Sequence, residues 1–145
     1  MHKLKGFTLI ELLIVIAIIS ILVGIAIPRF KGMKDEGNYA KAQGEVRALR
    51  AGVESYYIHQ NPSAYPLEGA NWQNALTSAT PRIIDTVLYD PFGSTRTTPY
   101  SYDLSSNGQY YVIYSVGING NGSATVSDTG VVTVTNNAIW TSNSR

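Results

Sequence analysis

Three hydrophobic patterns follow one another along the chain, and each predicts a different element. From Phe7 to Ile27 the 21 residues include one charged side chain, Glu11. At 1.5 Å per residue a helix of that length is roughly 31 Å long, enough to cross a bilayer. Next, Ala42, Val46, Leu49, Val53 and Tyr56 or Tyr57 recur at steps of three and four, the apolar stripe of an amphipathic helix. Lys41, Glu45, Arg47, Arg50 and Glu54 fall largely off that stripe. Arg50 and Glu54 are spaced as an i,i+4 pair on a solvated face. The two patterns join into one helix from Phe7 to about Ile58, roughly 78 Å long, and its N-terminal half is expected to extend beyond the globular part. Proline lacks a donor and crowds the preceding turn, so a kink or local melting is expected at Pro28.

Pro62 and Pro66 in "HQNPSAYP" end the helix. Residues 71–79, "NWQNALTSA", suit either a short helix or a turn-rich loop, and "DPFG" (90–93) reads as a turn. The third pattern is alternation. "PYSYDL" (99–104) and "QYYVIYSV" (109–116) read as strands around "SSNG", where Asn107-Gly108 suits a two-residue type I′ hairpin. Tyr110, Val112, Tyr114 and Val116 are expected on one face, with Tyr111, Ile113 and Ser115 on the other. "SATVS" and "VVTVT" flank "DTG" as a second hairpin, and "GINGNG" (117–122) joins the two halves. The fold class is therefore α+β, a long N-terminal helix packed on a small antiparallel sheet.

Charge sharpens this picture. Eleven basic and ten acidic residues leave a formal charge of +1, too little for a nucleic-acid binder that works by bulk positive charge. The basic excess sits near the apolar segment, as suits phospholipid headgroups. Cysteine is absent, which excludes a disulfide, a thiolate metal site and a cysteine nucleophile.

Glu11 is then the position to explain, because a charge in hydrocarbon needs a partner or a task. Three readings are open. A secretory signal peptide would use His2, Lys3 and Lys5 as its basic region and be cut near Gly24 and Ala26, so that the mature chain begins near Ile27 as a secreted, soluble binding module. A plain anchor would keep the helix, although Arg29, Lys31 and Lys34 beyond it weaken the positive-inside argument. A cut after Gly6 would keep the helix and create an α-amine on Phe7, largely protonated at neutral pH. In a helical stack, Glu11 of one subunit would meet the Phe7 amine of its neighbour, each offsetting the other's desolvation.

"GFTLIELLIVIAIISILVGIAIPRF" resembles the N-terminus of type IV pilins and of the pseudopilins of type II secretion. The resemblance implies cleavage by a prepilin peptidase between Gly6 and Phe7, methylation of Phe7, and subunit addition guided by Glu11. Pro28 matches the family's helix-interrupting proline, and filament assembly falls on Phe7, Glu11 and Pro28. The corresponding domains are a cleaved leader (1–6), a transmembrane and filament-core helix (7–28), its amphipathic continuation (29–61) and a globular loop-and-sheet region (62–145). The implied partners are other copies of the chain, minor pseudopilins, the prepilin peptidase and an inner-membrane assembly platform. The implied location is the bacterial inner membrane, single-pass, with the globular part in the periplasm.

"YDPFGSTRTTPYSYDL" followed by "GQYYVIYSVGINGNG" is similar to the major pseudopilin pattern, and the lack of cysteine favours a pseudopilin over a disulfide-closed pilus subunit. Major pseudopilins hold this loop with calcium, so the resemblance implies Asn119, Asn121 and Asp128, together with backbone carbonyls of the loop, as oxygen donors. Carboxylates supply most calcium affinity, and only Asp128 is charged. The competing reading of "NGNG" is a flexible turn.

No catalytic constellation appears. His2 lies in the leader, His59 stands alone near the helix end, and Asp85, Asp90, Asp103 and Asp128 are scattered among turns. The chain is therefore expected not to be an enzyme, and no cofactor is needed for chemistry. The ten tyrosines read as ordinary sheet packing. Single-strand binding needs a basic groove, and beyond residue 58 the only basic residues are Arg82, Arg96 and Arg145.

Overall fold

A computed structural model describes residues 6–144. One helix, α1 (Leu9–His59), contains both helical patterns. Local melting at Pro28 does not occur, since helical geometry continues through it. A single proline removes one ladder bond, and the intact turns on either side hold the rest. Residues up to Glu36 form one compact unit and Gly37–Arg145 another. In the first unit, none of the described residues is buried.

In the second unit, the predicted Ala42, Val46, Leu49 and Val53 are buried on α1 together with Gly52, while Tyr56 and Tyr57 are partly buried. A short helix, α2 (Gln73–Thr77), follows, and then five strands: β1 (Ser101–Leu104), β2 (Tyr111–Ser115), β3 (Ser123–Val126), β4 (Val132–Thr135) and β5 (Ile139–Ser142). The main sheet is antiparallel in the order β1-β2-β5, and β3-β4 is a separate hairpin. Strand β2 is central, pairing Tyr102 with Ile113 on one side and Thr141 with Ile113 on the other.

Alternation along β2 sorts its side chains into two cores. Tyr111 and Ile113 join the α1 stripe, Trp72, Leu76, Tyr100 and Tyr102. Val112, with Tyr110 and Tyr114, packs on Ala124 and Val126. A strand buried on both faces suits the Tyr- and Val-rich run that forms it.

Two local expectations change. The β1–β2 connection is not a two-residue type I′ turn, which needs positive φ at both central residues. Only Gly108 has it, with φ 69°. The loop is longer: the Ser105 amide donates to Tyr110 O at 2.8 Å and the Gly108 amide to Ser105 O at 2.8 Å. Asn107 is used differently, its Oδ1 accepting from Ser105 Oγ at 2.7 Å and from the Gln109 amide at 3.0 Å. The Arg50–Glu54 ion pair does not form either. Glu54 accepts the Tyr111 hydroxyl at 2.6 Å, and the i,i+4 ion pair found is Lys41–Glu45 at 3.8 Å.

Candidate functional site

The N-terminal site starts with two residues that precede α1. Gly6 and Phe7 lie outside regular structure, and Phe7 is 83% exposed. His2, Lys3 and Lys5 of the leader lie outside the described residues. Thr8 is the N-cap of α1, and Glu11 stands three positions on. The Glu11 amide donates to Thr8 Oγ1 at 3.3 Å, while Glu11 Oε2 accepts from the Thr8 amide at 2.9 Å and the Thr8 hydroxyl at 2.7 Å. This reciprocal arrangement is a capping box, which satisfies donors that the first turn of a helix leaves open. The carboxylate thus has a partner within its own chain. Thr8 was not singled out from the sequence, although the T-x-x-E spacing of "TLIE" before an apolar run carries the signal.

Downstream, α1 is the one described helix long and apolar enough to cross a membrane, and its most apolar window is entirely unburied. Leu9, Ile14, Ile18, Leu22 and Ile25 are all more than half exposed. A contiguous apolar surface of this extent needs lipid or other protein to cover it. Pro28 lies within the same helix.

In the second unit the acids of the helix meet the tyrosines of the sheet. Tyr100 donates its hydroxyl to Glu45 Oε2 at 2.7 Å and Tyr111 to Glu54 Oε1 at 2.6 Å. Burial, reinforced by these bonds, pushes both hydroxyls well above the usual tyrosine range. Burial also pushes up Tyr102, although no described group hydrogen-bonds its hydroxyl. Trp72, Tyr102 and Tyr111 stack in series, with centroids 4.8 and 5.8 Å apart, inside the core, as sheet packing predicts.

The residues implied for calcium are not brought to one place. Asn119 and Asn121 lie in the loop after β2, and the backbone carbonyl of Asn121 accepts Asn136 Nδ2 at 3.1 Å. Asp128 lies beyond β3, where its Oδ1 accepts the Asn107 amide from the turn before β2, at 2.9 Å. The asparagines and Asp128 therefore sit toward opposite ends of β2 and β3. Four strand residues alone span about 13 Å, whereas donors around one calcium, each at about 2.3–2.6 Å, lie within about 5 Å of each other. The three side chains are not brought together in this structure. Among the described residues no group of three or more His, Asp or Glu side chains converges to hold a metal. His59 is exposed, with Nδ1 against Ser55 O at 2.7 Å.

One acid read from the sequence as a turn residue is buried. Asp90 is 4% exposed. Its Oδ1 accepts Ser115 Oγ at 2.7 Å and the Phe92 amide at 2.9 Å, and its Oδ2 accepts the Val116 amide at 2.8 Å. The D-P-F-G spacing signals the turn, but nothing in it points to partners 25 residues on.

Residues 1–27 match the model of the prokaryotic N-terminal methylation motif. The type IV narrow pilus major component PilA5 of Thermus thermophilus is 37% identical over 113 residues, covering 66% of this chain and 94% of that protein. The type II secretion system core protein G of Klebsiella pneumoniae is 30% identical over 132 residues, covering 83% of this chain and 89% of that protein. A fimbrial protein of Pseudomonas aeruginosa is 49% identical over 55 residues, 38% of this chain and 36% of its own length. No solved structure matches the chain. With the exposed apolar helix, the capped Glu11 and the α+β domain, these matches place the chain in the type IV pilin-like family, as a structural subunit and not an enzyme.

Proposed function

We propose that the chain is a major pseudopilin. In this reading a prepilin peptidase cuts between Gly6 and Phe7, Phe7 is methylated, and the mature subunit waits in the inner membrane with its second unit in the periplasm. It then polymerises through residues 7 to about 30 into a thin filament serving type II secretion, with minor pseudopilins and an inner-membrane platform as partners. The observation that carries the filament reading is the unburied apolar segment of α1 that follows Phe7. Its surface requires lipid before assembly and neighbouring helices afterwards. Support for the secretion branch comes from the match to core protein G, which extends over 83% of this chain, together with the absence of cysteine.

Glu11 has two partners in succession. Within one chain its carboxylate is held by Thr8. On assembly it is released to the Phe7 amine of the adjacent subunit, a stronger partner because that group carries a full charge.

A second reading, the major subunit of a type IV pilus, draws on the higher identity to the narrow pilus component. Both readings are tested by intact mass of the protein from its native membranes, followed by deletion of the gene. A mass beginning at methylated Phe7 is expected, and a start near Ile27 refutes the filament reading. Loss of protein secretion with surface pili retained supports the pseudopilin, and the reverse supports the pilus.

A further inference from the structure

The calcium-binding residues implied for this loop are dispersed, yet the loop is not left unsupported. Three carboxylates each tie together segments more than 20 residues apart. Asp90 joins its own turn to the end of β2, through Ser115 Oγ at 2.7 Å and the Val116 amide at 2.8 Å. Asp103, on β1, accepts the Val126 amide at the end of β3 at 2.7 Å. Asp128, in the β3–β4 turn, accepts the Asn107 amide at 2.9 Å, and Asn107 Nδ2 returns a bond to Asp128 O at 2.9 Å.

Each bond joins a carboxylate to a backbone amide or a hydroxyl, and carboxylate acceptors form the stronger class of hydrogen bond. Each also closes a long loop, as a structural cation would by gathering the same kind of oxygens. Asp90 already accepts three hydrogen bonds, which leaves at most one of its carboxylate lone pairs open to a metal. The Asp128 bond likewise anchors the β3–β4 turn at the end of β2 away from Asn119 and Asn121.

We propose that these carboxylate-to-backbone bridges do in this chain what a divalent cation would otherwise do, so that folding of the second unit is independent of calcium. The inference holds whether the filament is a pseudopilus or a pilus, because it concerns the second unit alone.

The test uses the full chain in detergent micelles, with calcium content measured by elemental analysis and thermal unfolding followed with chelator or with millimolar calcium chloride. The expected result is no stoichiometric calcium and melting temperatures that agree. Chelator should also leave proteolysis of residues 117–130 unchanged. Occupation of a structural site at a hundred times its dissociation constant would raise the melting temperature by on the order of 10 °C. A rise of that size in calcium, or its loss on chelation, overturns the proposal. Asp90→Asn replaces an acceptor oxygen with an amide that repels a facing donor, and should lower the melting temperature equally in both buffers. Should that variant not fold, the exposed Asp128→Asn serves instead. A calcium-dependent rise in wild type that disappears in Asp128→Asn would place a cation at that turn and refute the bridges.

Discussion

Three tyrosines of the core have nearly the same burial and opposite prospects. Tyr100, Tyr102 and Tyr111 are 1%, 7% and 0% exposed. Replacing each with phenylalanine removes one oxygen and leaves the ring in place. At Tyr100 and Tyr111 the lost bond runs to a carboxylate, at 2.7 and 2.6 Å. Hydrogen bonds to charged groups contribute about 1.5–3 kcal/mol. Glu45 and Glu54 are only half-buried and regain water when the partner leaves, which lowers the expected cost to about 1–2 kcal/mol. At Tyr102 no described group receives the hydroxyl. Burying a hydroxyl without a partner costs about 1–3 kcal/mol, so Tyr102→Phe should stabilise by on the order of 1 kcal/mol. For a domain of this size, 1 kcal/mol moves the melting temperature by about 4–8 °C. Thermal unfolding of the full chain in detergent, read by near-ultraviolet circular dichroism, should therefore show Tyr102→Phe above wild type and the other two below. A Tyr102→Phe melting temperature depressed as far as that of Tyr111→Phe would refute the reasoning, since the hydroxyl would then be hydrogen-bonded in the folded chain.

The same hydroxyls govern behaviour in alkali. All three are pushed above the ordinary tyrosine range, chiefly by burial, so the folded chain keeps protons that the unfolded chain releases. Their contribution is complete below about pH 10 and declines as pH rises above it. Absorbance at the phenolate band should show exposed tyrosines ionising first and these three only with unfolding; early ionisation of all ten would contradict their burial. Glu11→Leu should leave subunit levels in the membrane unchanged but sharply reduce polymer recovered in a shearing assay, and wild-type polymer yield would remove Glu11 from assembly. Gly117 has φ 71°, and a Cβ there would lie 2.5 Å from Asn137 O. Gly117→Ala should thus cost about 2 kcal/mol or more through combined strain and clash, measurable as a lower denaturation midpoint.

Much of the molecule is legible in short windows. The span from Phe7, the cleavage and methylation motif, the stripe from Ala42 to Val53 and the two-faced β2 strand all rest on spacings of two to four residues. Such spacings follow from the geometry of helix and strand themselves. Even Thr8 was there to be read, three residues before Glu11. At Asn107-Gly108 the dipeptide marks the turn but not its type, because Asn107 is engaged by Ser105, Gln109 and Asp128.

What the sequence determined by itself is the amphipathic plan: where the apolar helix starts, which face of its continuation is buried, and where the chain turns. Tertiary structure alone decided that Asp90 is a buried tie, that Asp128 is separated from Asn119 and Asn121, that Glu54 holds Tyr111 instead of Arg50, and that Ile139–Ser142 forms the third strand of the sheet. Periodicity records how a residue relates to neighbours a few positions away. Partners 20 to 60 residues apart are set by how the closed chain packs, and the same Asp or Tyr in a loop pattern is compatible with several of them.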